Sequence, residues 1–444
     1  MNYSIYKMHK IEDICNVSSS KRIYASEYVD EGIAFWRSKE VIQKANNEEI
    51  SDVLYITKDR FEEIKMKFGA PKKGDILLAS IGANMGTSYY VNIDTDFYFK
   101  DGNVTWFSNF SENINSMYLY FCLNWNIVKT NMLNRAIGSA QKALTIESLK
   151  KLEIPLPSIE EQKAIVKILS DLDKKIEINN KTNKKLEEMA QAIFKQWFVN
   201  FEFPNENGEP YKSSGGEMIE SELGMIPEGW KVGTFREFTD TVLGGDWGKE
   251  TEQGNYNKEV LCLRGADIPE IKCGKVGAPA KRFILEKNYN NKKLNSGDLV
   301  VEISGGSPTQ STGRITYINE GILNRYDLDF VCTNFCRAIT LNNKKSMEYF
   351  YFYWTYLYDL NVFFQYENGT TGIKNFDVNT FLDKHQIIVP PNHLLEKYHK
   401  IVSNLLNTIQ HNGLENSKLM NARDLLIPKL MSGEIRVPLN NEEN

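Results

Sequence analysis

Apolar side chains recur every three or four residues along a stretch that begins at Ser158, and this pattern predicts one long helix. From Ser158 to Asn200 the chain has neither proline nor glycine, and Ser158 with Glu161 has the spacing of a capping box. The apolar positions form a heptad seam that Asn179 and Asn183 interrupt at its middle. A helix of about 40 residues would reach about 60 Å, which is more than one small domain covers.

A second, weaker seam runs from Ile401 to Leu426 and contains Gly413. The glycine is expected to kink this helix, at a cost of about 1 kcal/mol relative to alanine. Two long helices with polar middles are expected to pair antiparallel. The alternative, in which each is an ordinary amphipathic helix packed on its own domain, stays open at this point.

The remaining sequence alternates short β-branched or aromatic runs with Gly, Asn and Pro turns, which predicts a mixed domain of helices and strands in each half. Blocks of the first half recur in the second half in the same order. The matching pairs are 33–42 with 260–269, 72–82 with 295–305, 116–125 with 346–355, 141–149 with 373–381, and 154–169 with 389–406. Chance similarity would not keep this order, so the chain is predicted to be two copies of one unit.

This repeat predicts the order of the domains and an α+β fold class. The expected segments are a first mixed domain over 1–157, a long helix over 158–203, a linker over 204–220, a second mixed domain over 221–390, and a second long helix with a C-terminal segment over 391–437. The linker is assigned from its polar composition and its Pro and Gly content.

Composition excludes several classes of protein. Hydrophobic residues make up 41% of the 444 residues and charged residues 25%, which excludes a disordered or fibrous chain. Acidic residues outnumber basic ones by 58 to 53, so the formal net charge is −5 and a uniformly basic nucleic-acid-binding coat is excluded. Local basic patches remain compatible with this average.

Six cysteines are too sparse for a disulfide scaffold, and no CxxC pair or histidine pair at zinc spacing accompanies them, so no metal is expected. The first residues lack the apolar core of a secretory signal. The most apolar stretch, 349–364, is short for a membrane span and holds Asp359 and Asn361, so a buried aromatic helix is predicted there. These features predict a reduced, soluble, cytoplasmic protein with no membrane partner.

The sequence patterns of catalysis are missing. An adenine methyltransferase needs an acidic or amide residue before Pro-Pro and an aromatic residue after it, whereas Pro390–Pro391 stands between Val389 and Asn392. The segment 244–249 falls short of a phosphate-binding loop, and the five histidines form no recognisable constellation. We therefore expect no catalytic residue in this chain.

Three stretches together resemble the specificity subunit of type I restriction–modification systems. They are EEMAQAIFKQWFVNFEFP at 187–204, ESELGMIPEGWKV at 221–233 and RDLLIPKLMSGEIRV at 423–437. The IPLP…EQ…IV…L pattern that begins the first long helix belongs to the same resemblance, which covers essentially the whole chain. The second half departs from it at Glu396–Lys397, where the first half has Glu161–Gln162.

The resemblance implies two target-recognition domains, each of which reads one half of a bipartite, asymmetric site in double-stranded DNA. Two long antiparallel, coiled-coil-like helices would join the domains in a pseudo-twofold repeat and set the spacing of the half-sites. Two methyltransferase subunits that modify adenine N6 would dock on the chain, as would restriction-translocase subunits. S-adenosylmethionine, ATP and magnesium would belong to those partners, and this chain would hold no cofactor.

Two alternatives to this function stay open. The chain would otherwise be the recognition part of a self-contained DNA modification or restriction enzyme, or a coiled-coil adaptor with no DNA role.

Base reading requires side chains with paired donors and acceptors on loops, with Lys and Arg nearby for phosphates. The expected DNA-binding residues of the first half are Ser20, Lys21, Arg22, Ser80, Asn84, Arg135, Ser139, Gln141 and Lys142, and those of the second half are Thr309, Gln310, Ser311, Thr312, Arg314, Lys374 and Asn375. Arg37 and Arg264 recur in both copies, so a structural ion pair explains them at least as well as a base contact.

Two apolar groups are expected to bind protein partners. The first is the aromatic end of the first long helix, formed by Phe194, Trp197, Phe198 and Phe201, for which packing at a hinge against the second domain is the alternative. The second consists of Leu425, Leu426 and Leu430, for which the alternative is docking beside the N-terminal domain.

Overall fold

The computed structural model describes residues 4–50, 52–138, 142–307, 309–369 and 374–438, which fold into two compact units. The first unit is formed by the residues up to Lys174 together with those from Met420 onward, and the second by Lys175–Leu419.

The first unit places its strands in two four-stranded sheets and one strand pair. The strands are β1 (Met8–Lys10), β2 (Asn16–Ser18), β3 (Tyr28–Val29), β4 (Ile33–Trp36), β5 (Leu54–Ile56), β6 (Ile76–Ala79), β7 (Ser88–Tyr90), β8 (Phe97–Phe99), β9 (Val104–Ser108) and β10 (Glu153–Pro155). One sheet has the order β2-β9-β6-β7 and is antiparallel, whereas the other, β3-β5-β4-β8, contains the parallel pair β4 and β8. Strand β1 pairs with β10.

Helices cover the sheets of the first unit and form its largest core cluster. They are α1 (Ser38–Ala45), α2 (Lys58–Phe68), α3 (Ser116–Asn124), α4 (Asn126–Leu133), α5 (Ile146–Lys150) and the first part of α6 (Ile159–Phe194). The side chain of Asn115 caps α3 by accepting hydrogen bonds from the backbone N–H groups of Met117 and Tyr118, at 3.0 and 3.2 Å. Apolar residues of α3 and α4 then pack with Ile76 and Phe107 of the sheet.

The strands of the second unit are β11 (Met218–Ser221), β12 (Gly224–Pro227), β13 (Lys231–Thr234), β14 (Thr239–Gly244), β15 (Tyr256–Leu263), β16 (Ala280–Leu285), β17 (Leu299–Glu302), β18 (Ser304–Gly305), β19 (Ile315–Tyr317), β20 (Phe330–Cys332), β21 (Cys336–Leu341), β22 (Glu367–Asn368), β23 (Lys374–Phe376) and β24 (Gln386–Val389). They include a four-stranded sheet, β14-β21-β17-β19, that matches one in the first unit, and a three-stranded sheet, β16-β15-β20, with a parallel pair. The helices of this unit are α7 (Ile268–Lys272), α8 (Glu286–Lys292), α9 (Glu320–Leu323), α10 (Met347–Asp359), α11 (Val378–Lys384) and most of α12 (Asn392–Ser432).

Helix α10 lies at the centre of the second unit's core. It contributes Phe350, Phe352 and Trp354, each at most 2% exposed, and Trp354 stacks on Phe350 with ring centroids 5.7 Å apart. The buried aromatic helix predicted over 349–364 is thus confirmed as far as Asp359, where α10 ends. Asn361 then adopts a left-handed conformation, and a 3-10 turn covers Val362–Tyr366. Among the described residues, no helix combines the length and the apolar character that crossing a bilayer requires.

The internal repeat is confirmed at the level of single hydrogen bonds. In the first unit the carboxylate of Asp75 accepts a hydrogen bond from the backbone N–H of Lys72 at 3.0 Å, just before β6. In the second unit Asp298 accepts one from the N–H of Asn295 at 2.7 Å, just before β17. The same turn therefore opens the equivalent strand in both copies.

The first heptad seam is confirmed. From Ile165 to Trp197 none of its positions is exposed, and both interrupting asparagines are buried. The capping box is only half formed: the hydroxyl of Ser158 accepts a hydrogen bond from the N–H of Glu161 at 3.3 Å, but the Glu161 carboxylate bonds Tyr6 and Arg436 instead. After Phe194 the helix ends in a π-helical turn, Lys195–Val199.

The seam predicted for the second long helix is wrong over the first half of its length, where a different set of residues is buried. Ile401, expected on the seam, is 43% exposed, whereas Val402, Leu406 and Ile409 are buried. These residues pack into the core of the second unit, which sets the buried face of α12 there. In the second unit α6 and α12 run antiparallel. The order of the bonded pairs shows this: Asn179 bonds Asn416 at 2.9 Å, and Asn183 bonds Asn412 at 2.8 Å.

Candidate nucleic-acid interface

Two loops that carry predicted DNA-binding residues meet at one end of the β2-β9-β6-β7 sheet. Ile81 and Ala143 form a bridge between them, and the N–H of Leu144 donates to the carbonyl of Ser80 at 2.9 Å. Asn84, Arg135 and Lys142 are exposed on these loops. Neither Arg135 nor Lys142 forms an ion pair with any residue that the structure describes. This loop pair offers free donors and positive charge on the surface. The predicted residues Ser139 and Gln141 lie outside the described residues.

Ser80 has a different role from the other candidates of the first half. It is 2% exposed, and its hydroxyl bonds the Thr105 hydroxyl at 2.6 Å, so its side chain ties the ends of two strands together. Arg22 is exposed, but its Nε donates to Asp101 at 2.8 Å. Lys21 is exposed with its ammonium 5.2 Å from the centre of the Phe68 ring.

Two of the predicted residues of the second half, Lys374 and Asn375, lie on strand β23 of a small sheet with the order β18-β23-β22, and the other five follow strand β18 along the chain. Ser304 pairs with Asn375 and Gly305 with Lys374, which brings two segments distant in sequence to one place. Thr309, Gln310 and Asn375 are exposed there. Their amide and hydroxyl groups are the candidates that remain available for base contacts in this half.

Several candidates of the second half are committed to contacts within the chain. Ser311 is 3% exposed and Thr312 is fully buried, and the Thr312 hydroxyl donates to Glu367 at 2.9 Å. Arg314 forms a bidentate pair with Glu302 at 2.7 and 2.6 Å, and this pairing raises the pKa of Arg314.

Lys374 is likewise paired, with its ammonium 2.8 Å from Glu367. The positive charges expected to contact phosphates in this half are thus neutralised inside the chain. Phosphate contacts by Arg314 or Lys374 would require these pairs to open.

Arg37 and Arg264 form equivalent structural ion pairs in the two halves. The guanidinium of Arg37 bonds Glu40 at 2.5 Å, and that of Arg264 bonds Asp267 at 2.9 Å. Burial alone would raise the pKa of Glu40, but the hydrogen bonds from Arg37 lower it below its usual value. Each acidic residue also accepts the backbone N–H of its arginine and thereby caps the segment that follows. The structural alternative therefore accounts for both arginines.

The aromatic end of α6 is part of a core. Phe194, Trp197, Phe198 and Phe201 are between 1 and 7% exposed, and the Phe198 ring lies edge-on to Tyr398 at 4.9 Å. These contacts favour packing against the second domain over the predicted partner contact, because buried rings leave no surface for another chain.

The three leucines near the C-terminus divide between core and surface. Leu430 is 1% exposed in the same cluster as Ile165 and Leu169, and Leu426 packs against that cluster. These contacts agree with docking beside the N-terminal domain. Leu425 is 67% exposed, so it is the member of the group that remains available to a partner.

Cations stacked on aromatic rings are a feature that sequence reasoning missed. In the second unit Arg282 lies 3.9 Å from the Trp247 ring and Lys258 lies 4.2 Å from the Tyr289 ring. These partners are distant in sequence, so no local pattern announces them. Arg282 also pairs with Glu250 at 3.0 Å and its side chain is 12% exposed, so its stacking on Trp247 is a contact within the chain.

Cysteine and metal chemistry find no site in the described part of the chain. Burial raises the pKa of all six thiols, for example that of Cys262 to about 12, which disfavours the reactive thiolate. Within the same residues, no group of three or more His, Cys, Asp or Glu side chains is arranged to hold a metal ion.

Comparison with known proteins identifies the same family in both halves. The family described as "Type I restriction modification DNA specificity domain" matches residues 4–188 and 227–421. The type I restriction enzyme MjaIX specificity subunit of Methanocaldococcus jannaschii is 28% identical over 333 residues, which are 73% of this chain and 70% of that protein. The HindI specificity subunit of Haemophilus influenzae is 25% identical over 412 residues, 82% of this chain and 87% of that protein.

A solved structure agrees at the level of the fold. The type I restriction-modification system S subunit from M. genitalium superposes with a TM-score of 0.58 over 97% of both chains, at 17% sequence identity. The family match spans most of the chain and falls once on each copy of the internal repeat. The chain therefore belongs to the family of type I restriction–modification DNA specificity subunits.

Proposed function

We propose that this chain selects the DNA sequence for a type I restriction–modification complex by reading a bipartite, asymmetric target, one half-site per domain. The observation that carries the proposal is that the two halves share one structural framework but have different exposed residues on their loops. Both halves keep the same arginine–carboxylate pair and the same aspartate turn. The exposed candidates differ: Asn84, Arg135 and Lys142 in one half, and Thr309, Gln310 and Asn375 in the other.

Two copies of one framework with different tips suit a target whose halves differ. Repeated DNA-binding modules place equivalent faces on successive sites along the duplex, so symmetry of the protein is matched by symmetry of the site. When the reading side chains differ between copies, the two half-sites differ as well. We propose that the two long helices act as the spacer that sets the number of unread base pairs.

In this proposal the chain supplies sequence choice and its partners supply the chemistry. The relatives are specificity subunits, the class of subunit that is not catalytic in such enzymes. Methyltransferase subunits would bind S-adenosylmethionine and methylate adenine N6, and restriction-translocase subunits would use ATP and magnesium. The net charge of −5 fits a chain that binds DNA together with partners that add positive charge.

The proposal is tested by a domain exchange in a complete methyltransferase complex. Replacing residues 1–157 by the first domain of a relative, followed by methylation-sensitive sequencing of the host genome, is expected to change one half of the methylated motif only. The matched exchange of residues 221–390 is expected to change the other half only. A change in both halves of the motif after either exchange contradicts the proposal that each domain recognises one half-site. Methylation by the purified chain alone contradicts the non-catalytic role.

A further inference from the structure

A cleft of about 480 Å³ opens in the first unit beside the edge strand β2. Lys21 and Lys72, both exposed, stand on its lining, and neither forms an ion pair with a described residue. Phe68, which is 54% exposed, and the mostly buried Trp106 add aromatic surface. The volume and this mixture of apolar and polar lining are typical of sites for small organic groups.

Polar groups in the lining lack the partners that burial normally demands. Ser108 is 2% exposed, and among the described residues its hydroxyl has no hydrogen-bond partner. The same is true of the Ser20 hydroxyl. The two hydrogen bonds that Asp75 accepts from side-chain and backbone donors, those of Trp106 and Lys72, both end on Oδ2. A buried hydroxyl without a partner is costly, so these positions favour a ligand with its own donors and acceptors.

In the second copy of the repeat, the groups equivalent to Ser108 and Asp75 form a hydrogen bond with each other. Ile76 pairs with Phe107 in the first unit as Leu299 pairs with Ile339 in the second, so Ser108 and Thr340 are equivalent positions. The Thr340 hydroxyl donates to Asp298 Oδ1 at 2.8 Å. In the first unit that bond is absent between the described residues Ser108 and Asp75, and the indole N–H of Trp106 bonds Asp75 instead, at 2.8 Å.

The concave shape limits what part of DNA the cleft accepts. Base edges lie at the floor of a groove about 8.5 Å deep, which only a protruding protein segment reaches. A cleft accepts a group that protrudes from the duplex, either the sugar–phosphate backbone or a nucleotide rotated out of the stack. The Asp75 carboxylate in the lining repels phosphate, whereas Lys21 and Lys72 attract it.

We propose that this cleft receives a single nucleotide, with its base against Phe68 and Trp106 and its phosphate at Lys21 and Lys72. The proposal rests on the proposed function, in which the nucleotide is one that leaves the stack of the bound first half-site. Asn16 and Asn109 also line the cleft, and their amides would distinguish bases by their edges. A free mononucleotide has the same chemistry, so the experiment separates the two sources.

The first arm uses the purified full-length chain and the four 2′-deoxynucleoside 5′-monophosphates, with binding followed by saturation-transfer NMR. Base protons are expected to receive saturation, and Phe68→Ala is expected to weaken binding by at least about fivefold because a stacking surface is lost. Lys72→Gln should weaken it by about threefold. The matched controls are Met66→Ala, 80% exposed on the same helix, and Lys73→Gln, which pairs with Asp94; neither lines the cleft. Unchanged binding by Phe68→Ala, or equal competition by inorganic phosphate, overturns the proposal.

The second arm uses the assembled methyltransferase complex and duplexes with a mismatch at each position of the first half-site in turn. A mismatch lowers the cost of extruding a base. The duplex with its mismatch at the extruded position should therefore bind about tenfold more tightly than the matched duplex, and duplexes with mismatches elsewhere should bind more weakly. A mismatch at the methylated adenine should also increase the affinity, because methyltransferases extrude their target base. In Phe68→Ala, that increase should remain, and only the increase at the second position should vanish.

The outcomes of the second arm separate this inference from the proposed function. One outcome is that the complex methylates its motif but no second mismatch position increases the affinity. An extruded nucleotide is then excluded while the proposed function stands. Binding in the first arm would in that case belong to a free nucleotide. If the wild-type complex methylates no motif, the proposed function fails, and the first arm alone decides what the cleft binds.

Discussion

At the scale of single residues, an arginine's role depends on whether a carboxylate lies beside it. Arg37 holds Glu40, whose side chain is 1% exposed, whereas Arg135 is exposed and unpaired among the described residues. The two arginines are indistinguishable by residue type. They therefore provide a matched pair of substitutions that separates stability from DNA reading.

Arg37→Met is expected to lower the free energy of unfolding by about 2–4 kcal/mol, because it leaves Glu40 buried without its partner. The methylated motif should stay the same. Arg135→Met should change stability by less than about 0.5 kcal/mol and reduce or alter methylation at the first half-site. Urea unfolding of each variant and methylome sequencing measure the two effects. An Arg37→Met protein of normal stability with a changed motif would reverse the assignment.

His399 introduces a pH dependence into the second unit. Its Nδ1 lies 2.7 Å from Glu348, whose side chain is 1% exposed, and this hydrogen bond raises the pKa of His399 against the opposing effects of burial and of Lys345. Glu396 nearby acts in the same direction as Glu348. Since the folded pKa exceeds the unfolded one, the stabilisation is complete below about pH 6.5 and is lost as the pH rises through the folded pKa.

The urea midpoint is accordingly expected to fall as the pH rises above about 6.5, and His399→Gln should remove that part of the dependence. The exposed His393, on the same helix, gives the control variant His393→Gln, which should keep it. An unchanged pH profile in His399→Gln would show that another group titrates.

At the scale of elements, the middle of the long helices is held by amides. Asn179 donates to Glu415 at 2.7 Å and to Asn416 at 2.9 Å, and Asn183 accepts from Asn412 at 2.8 Å. Asn183 also donates to the carbonyl of Ile409 at 3.2 Å. A buried amide layer of this kind is satisfied only in one alignment of the two helices, which apolar side chains alone would not specify.

Gly413 has a role in α12 that helix propensity does not explain. The helix passes through it without ending, and a Cβ added there would lie 1.9 Å from the carbonyl oxygen of Gly274. The glycine is therefore needed for close approach of two backbones, and the kink expected from the sequence is not its main consequence.

Gly413→Ala is expected to destabilise the protein by about 1–3 kcal/mol, although propensity alone predicts a gain of about 1 kcal/mol. Thr408→Ala, at an exposed position of the same helix, should be neutral or slightly stabilising. Thermal unfolding of both variants measures the contrast. A higher melting temperature for Gly413→Ala would mean that the approach to Gly274 relaxes without cost.

At the scale of the whole molecule, the first unit combines described residues from near both ends of the sequence. The N–H of Ile5 donates to the carbonyl of Ser432 at 2.9 Å, and Glu161, with a side chain 4% exposed, accepts from Tyr6 at 2.7 Å and from Arg436 at 2.5 Å. The segment after α12 thus completes the first unit, although its sequence lies at the far end of the chain.

Arg436→Gln is expected to lower the stability of the first unit, because the buried carboxylate of Glu161 loses its charged partner. Lys429→Gln removes an exposed ion pair with Glu434 and should change stability by less than about 0.5 kcal/mol. Hydrogen exchange of the amides around Glu161 measures the local effect. Equal protection in both variants would contradict a stabilising role for Arg436.

Features that depend on residues close together in the chain could be predicted from the sequence. These are the long first helix with its buried seam, the buried aromatic helix and the repeated strand-opening turns around Asp75 and Asp298. Periodicity and turn chemistry act over a few residues, so they are readable without a structure. The internal repeat also required only the order of such local blocks.

Which of the predicted residues are available for contact with DNA or a partner depends on contacts that form only in the folded chain. Lys374 is neutralised by Glu367, Ser80 is tied to Thr105, and the aromatic end of α6 is covered by residues such as Tyr398. The cleft that joins Lys21, Phe68 and Asn109 likewise has no counterpart in any short stretch of sequence. Burial and ion pairing depend on distances through space between residues far apart in the chain, and local patterns do not contain those distances.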